Sequence, residues 1–163
     1  MDEATTLATS RPTRLGERRQ VSVLSTDMVG YTAIIERLGE EGALAFTRMI
    51  YERLSDAVHR HGGVVRGFAG DSIMAVFGIP EVQEDAAIRA CRAALSIQAA
   101  FGPSAGDIET KFGVRPCVRV GVSSGVAVMA PVEGEGGQLT AVGNTVNLAA
   151  RIQKQAQPGG CLV

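Results

Sequence analysis

Apolar residues recur along this chain at two periods, and the alternation between the periods lays out its elements. From Val21 a short β-branched run ends on Asp27 and passes into a glycine-containing loop, Met28 to Thr32, the pattern of a strand that opens a helix. Thr32 to Leu38 and then Glu40 to Arg60 read as helices; in the second, Phe46, Ile50, Leu54 and Val58 repeat every four residues and form one apolar stripe. Gly62 and Gly63 end it. Val64 to Ala69 and Ser72 to Phe77 are β-type runs separated only by Gly70 and Asp71. A two-residue connection led by glycine suits a type II′ hairpin, which places Asp71 at its tip.

Glu84 to Ala100 predicts a helix with the apolar Ile88, Cys91 and Leu95 on one face, closed by the Gly, Pro and Ser content of Gly102 to Gly106. Val114 to Ser123 and Val126 to Ala130 read as strands that meet in a second hairpin around Ser124 and Gly125, and Pro131 to Gly137 is a glycine-rich loop. Asn144 is the expected N-cap of a last helix running to about Gln155, with Leu148 and Ile152 as its apolar pair. Pro158 to Gly160 then turns the chain into Cys161, Leu162 and Val163, which end inside an apparent strand; the remainder of a sheet is expected beyond Val163. Residues 1–19 are polar, carry both charge signs and show no apolar period, so they read as a flexible leader or linker. Residues 20–163 read as one domain. The order of elements predicts an α+β or α/β sandwich in which helices cover a mostly antiparallel sheet.

Composition narrows the function classes. The chain has 163 residues, 45% hydrophobic and 20% charged, which is enough for one good core and argues against intrinsic disorder. A formal net charge of -1 is a poor match to non-specific nucleic-acid binding, which needs a basic surface to displace counterions. No apolar run reaches membrane-spanning length and no signal-peptide core is present. Cys91, Cys117 and Cys161 are odd in number and far apart; they suggest buried thiols in a reducing compartment, the cytoplasm, with no disulfide framework and no zinc spacing. His59 and His61 sit in HRHGG at a helix end and read as solvated cations favoured there by the helix dipole.

Three stretches could carry chemistry. If the first strand lies beside the hairpin, Asp27 and Asp71 converge at one sheet edge, and two carboxylates in oxygen-only surroundings suit Mg²⁺ or Mn²⁺; the bland alternative is two solvated aspartates at a strand end and a turn. The loop Met28 to Thr32, with Gly30 for close backbone approach, offers amides and a helix dipole to phosphate, or is an ordinary helix start capped by Thr32. In GNTVNLAAR, Asn147 and Arg151 are four apart and share one helix face, which an exposed, idle pair would do equally.

VSVLSTDMVGYT, GFAGDSIMAVFG and VGNTVNLAARIQ, in this order and spacing, resemble the catalytic domain of the class III nucleotidyl cyclases, the adenylate and guanylate cyclases. The resemblance runs from about Arg19 to Val163. It implies a ferredoxin-like α+β fold related to polymerase palm domains, working as a head-to-tail homodimer. It implies that Asp27, Asp71 and the backbone of Met28 hold two Mg²⁺ or Mn²⁺ ions, and that Val29, Gly30, Tyr31 and Thr32 hold phosphate. Asn147 and Arg151 of a second copy would orient the ribose and stabilise the transition state of an attack by the ribose 3′-oxygen on the α-phosphorus.

The same resemblance locates two purine-specifying positions. Gly67 stands where a lysine is common, with Arg66 one place off and, by strand alternation, expected on the other side of the sheet; Thr140 is the second position. Ser25 and Thr26 replace a more apolar pair, and a phosphate-contacting lysine is expected beyond Val163. The leading expectation is an adenylate cyclase converting ATP to 3′,5′-cyclic AMP and pyrophosphate. The alternatives are a guanylate cyclase and a degenerate module that dimerises or binds nucleotide without turnover. A diguanylate cyclase is disfavoured because the hairpin reads Ala69-Gly70-Asp71-Ser72 and lacks a GG(D/E)EF turn.

Overall fold

The computed structural model describes residues 13–132 and 138–163, and its central element, β1 (Arg18–Met28), is buried on both faces. Side chains of a strand alternate, so Leu24 and Met28 enter one apolar cluster while Val21 and Val23 enter another. β1 pairs on one side with β3 (Ser72–Phe77) and on the other with β4 (Val118–Pro131), both antiparallel. β2 (Val64–Ala69) and β5 (Leu139–Val142) complete the order β2-β3-β1-β4-β5, and β6 (Cys161–Leu162) pairs parallel with β4.

Helix α1 (Tyr31–Arg60) joins β1 to β2, and α2 (Ala86–Phe101) leads from β3 toward β4 through a 3₁₀ turn at Pro103–Ala105 and a short α3 (Gly106–Phe112). The unit β1-α1-β2-β3-α2-β4, with β1 between β3 and β4, is the ferredoxin-like split βαβ arrangement. α1 and α2 cover the Leu24 face; α4 (Asn144–Gln155) covers part of the Val23 face. The α+β class and antiparallel-dominated sheet match expectation. So does α1, whose stripe Phe46, Ile50, Leu54 and Val58 is buried and whose helical geometry breaks at Gly39 (φ 69°), between the two helices read from sequence. Ala69 faces Ser72 across the Gly70-Asp71 hairpin, with Gly70 at φ 60°.

Several expectations are corrected. Ser124 and Gly125 are no hairpin: β4 runs straight through them, with Gly125 opposite Val21. The glycine is there for closeness, since a Cβ on it would stand 2.7 Å from Thr145 Oγ1 of α4. On α2 the buried face is Ala86, Ala90, Ala93, Ala94, Ile97 and Phe101, while Ile88 and Leu95 are 55% and 66% exposed. Small side chains let α2 lie close to the sheet, and closeness outweighs side-chain size. On α4 the inner positions are Thr145, Ala149 and Gln153, and Leu148 is exposed; Gly143, not Asn144, is the N-cap. Residues 103–112 form the 3₁₀ turn and α3, anchored by Ile108, and the following strand starts at Val118, not Val114.

The chain also joins the sheet early. The Gly16 amide donates to Met129 O at 2.8 Å and the Met129 amide to Glu17 O at 2.9 Å, so this part of the expected leader is bonded to the sheet. Residues 1–12, and residues 133–137 of the glycine-rich loop, lie outside the described residues.

Candidate active site

Asp27 is the penultimate residue of β1 and faces α4. Its Oδ2 is ion-paired with Arg119, directly opposite in the β1–β4 register, and accepts a hydrogen bond from Gln153 Nε2 at 3.1 Å. Asp71, at the hairpin tip, accepts the Met28 amide at 3.2 Å through its own Oδ2. The residue after one carboxylate therefore binds the other.

Thr26 makes this convergence possible. The β1–β3 ladder stops at Ser25 and Met74, and the Thr26 hydroxyl takes over as acceptor for the Ile73 amide at 3.1 Å, holding the hairpin against the end of β1. Burial pushes the Asp71 carboxyl above its ordinary range, and the negative charge of Asp27 pushes the same way, against the hydrogen bonds it accepts from its own amide, Met28 and Ser72. Two half-buried carboxylates that repel each other fit a divalent cation.

The loop from Met28 to Thr32 is partly committed. The Val29 amide donates to Cys117 O at 2.8 Å, so it is not open to a ligand. Gly30 takes the left-handed conformation at φ 73°, and α1 begins at Tyr31, with Ile34 donating to Gly30 O at 3.1 Å. The amides of Tyr31 and Thr32 therefore lie in the first turn, where no preceding carbonyl is in register to accept them. Tyr31 leans toward the hairpin: its ring would meet a Cβ on Gly70 at 3.4 Å, and its hydroxyl bonds Thr47 Oγ1 at 2.6 Å.

Asn147 and Arg151 are exposed and lie about half a turn round α4 from the buried Thr145, Ala149 and Gln153. Within one chain it is Gln153 that reaches Asp27, and Arg151 points away from the Asp27–Asp71 end. His61 Nε2 bonds Ser96 Oγ at 2.8 Å, and His59 is exposed; neither touches the carboxylates.

The sequence matches the model of the adenylate and guanylate cyclase catalytic domain over residues 14–163. The chain belongs to this cyclase family. It is 30% identical over 149 residues to adenylate cyclase 1 of Rhizobium meliloti, covering 86% of this chain and 21% of that protein, so it spans about a fifth of that relative's length. The crystal structure of the guanylyl cyclase Cya2 superposes with a TM-score of 0.82 at 27% identity, covering 91% of this chain and 76% of that one. The guanylate cyclase domain of a Catenaria anguillulae protein in complex with GTP gives a TM-score of 0.78 at 26% identity, covering 89% and 78%.

In this cyclase domain Gly67 and Thr140 lie near a feature that alternation did not foresee. The β2–β3 register shifts between Val65 and Gly67, so counting alternate residues across Arg66 fails. Arg66 Nε donates to Leu139 O at 2.7 Å and Nη1 to Gln138 Oε1 at 2.9 Å, which ties β2 to the start of the strand that carries Thr140. Thr140 Oγ1 is buried with no hydrogen-bond partner among the described residues. Gly67 has room for a side chain: its Cβ would meet Met74 Cβ at 3.5 Å.

The roles of three side chains of the site escaped the sequence reading: Thr26, Arg119 and Gln153. Arg119 left a faint trace as a charge set between Val118 and Val120, both buried. Gln153 left none, because an amide near a helix end is ordinarily solvated. Among the described residues no helix is long and apolar enough to cross a membrane.

Proposed function

We propose that the domain is a purine nucleotide cyclase that converts ATP to 3′,5′-cyclic AMP and pyrophosphate in the cytoplasm, at two sites shared between two copies of the chain. The observation that carries this reading is the division of groups: Asp27 and Asp71 are joined through the Met28 amide at one end of the sheet, while Asn147 and Arg151 stand on the outward face of α4. A two-fold dimer that docks this outward face on the carboxylates of a second copy completes both sites at once.

Asp27, Asp71 and the backbone of Met28 would hold two Mg²⁺ or Mn²⁺ ions, which supply a lower pKa for the ribose 3′-hydroxyl and charge neutralisation on the triphosphate. Tyr31 and Thr32 offer first-turn amides to the phosphates, helped by the α1 dipole. Arg119, beside Asp27, adds a fixed positive charge on the same side. Asn147 of the second copy orients the ribose. Its Arg151 meets the charge that grows on the α-phosphoryl oxygens as the 3′-oxygen bonds to the α-phosphorus. The bond from the α-phosphorus to the bridging oxygen breaks, pyrophosphate leaves with the bonding pair, and the hydroxyl proton passes to solvent.

A second reading, GTP as substrate, rests on the likeness to the guanylyl cyclase Cya2; Gly67, with no side chain to read a purine, selects neither nucleotide. Purified protein incubated with Mn²⁺ and either nucleotide tests both. Cyclic AMP from ATP supports the first reading, and cyclic GMP from GTP alone supports the second. No product from either, with the dimer intact, overturns both in favour of a non-catalytic module.

A further inference from the structure

Helix α4 has two used faces about half a turn apart. The inner one is clamped at both ends: Thr145 Oγ1 donates to Val126 O at 3.0 Å, and Gln153 Nε2 donates to Asp27 Oδ2 at 3.1 Å. Between these bonds the backbones meet at Gly121, where a Cβ would stand 2.3 Å from Gln153 N. Gln153 is 4% exposed, so little water competes for its amide. The outer face carries Asn147 and Arg151, both exposed.

Asp27 Oδ2 is thus held by Gln153 and Arg119 together, and among the described residues Oδ1 accepts no side-chain hydrogen bond. We infer that Gln153 is a positioning residue that holds Asp27 with Oδ1 open to a cation, and ties that carboxylate to the helix whose far side serves the other active site. The inference rests on the cyclase reading above, in which Asp27 binds metal and Arg151 acts on a second copy. Each α4 then joins the metal end of one site to the transition-state end of the other. Donors behind a ligating group matter to the metal because they fix the ligand's orientation before the ion arrives, and their loss costs about 10–100-fold in affinity or activity.

The direct test is Mn²⁺ binding, followed by the electron paramagnetic resonance of the free ion, with a 3′-deoxynucleoside triphosphate that cannot cyclise. Gln153→Met keeps the volume and removes the donor; Gln153→Asn keeps the amide and loses the reach. Both are expected to bind Mn²⁺ about 10-fold more weakly than wild type, and if one fails to fold the other carries the same expectation. Asp27→Ala is the control for the underlying reading. If Asp27→Ala weakens binding and the Gln153 variants bind as wild type, the inference is overturned and the cyclase reading stands; if Asp27→Ala binds as wild type, both fall.

A second arm tests the tie between sites. A mixed dimer of an Asp27→Ala chain and an Arg151→Ala chain keeps one intact site. Gln153→Met added to the Arg151→Ala chain, whose Asp27 serves that site, should raise the Mn²⁺ midpoint about 10-fold. Added to the Asp27→Ala chain, where its acceptor is already gone, it should leave the midpoint in place. Equal shifts from both placements would mean that Gln153 only fills space, and would overturn the inference.

Discussion

Gly121 is where the helix that carries Arg151 lies closest to the sheet that carries Asp27, so Gly121→Ala should damage both fold and turnover. The added Cβ would stand 2.3 Å from Gln153 N, 2.5 Å from Ala149 O and 2.7 Å from Gln153 Cα, where ordinary contact begins at 3.4 Å. All three atoms are backbone, so no rotamer change relieves the clash and α4 must lift by about 1 Å in a close-packed interior. Overpacking of this kind costs about 1–3 kcal/mol, or roughly 5 °C in Tm for a domain of this size. The same lift stretches the 3.1 Å bond from Gln153 to Asp27 past hydrogen-bonding range and moves Asn147 and Arg151 with it; a displacement of ~1 Å at a reacting centre costs on the order of 100-fold in rate. Thermal denaturation by circular dichroism and cyclic nucleotide production with Mn²⁺ read the two effects. Gly106→Ala is the control, because nothing lies within 4 Å of a Cβ there. A Gly121→Ala protein with wild-type Tm and wild-type turnover would refute the packing argument.

Two further substitutions probe the carboxylate end. Thr26→Val keeps the shape but leaves the Ile73 amide without its acceptor; urea denaturation should show a loss of about 1–3 kcal/mol, and turnover should fall as the hairpin tip loosens, whereas unchanged stability would contradict the role given to the hydroxyl. Asp71→Asn tests the electrostatics. Burial and Asp27 raise the Asp71 pKa in the folded chain, so this group favours folding below its unfolded pKa and that contribution is lost as pH rises through the folded one. At neutral pH without metal, Asp71→Asn should therefore melt higher than wild type, the gap closing as pH falls through the carboxylate range, and it should be inactive. A lower Tm at neutral pH would contradict the sign.

Much of this was legible from the chain alone, and the rest was hidden for identifiable reasons. β1, the stripe of α1 and the hairpin at Gly70-Asp71 follow from periodicity and turn chemistry, which are local. The inward face of α2 was missed because alanines contribute little to an apolar pattern that Ile88 and Leu95 dominate, although it is the alanines that permit close approach. Gly125 looked like a turn because glycine serves both tight turns and close packing, and only the position of Thr145 distinguishes them. The ion pair of Asp27 with Arg119 joins residues 92 apart and depends on the β1–β4 register, which no local signal specifies. Asn147 and Arg151 were recognisable as a pair; which way they point became visible only with the seating of Ala149 and Gln153 against the sheet.

The central claim is that each active site draws Asp27 and Asp71 from one chain and Asn147 and Arg151 from another. Mixing Asp27→Ala and Arg151→Ala proteins, each inactive alone, tests it most directly. At equal amounts, half the dimers are mixed and each has one intact site, so cyclase activity should return to about a quarter of wild type. No recovery, in a mixture shown to contain heterodimers, would contradict the account.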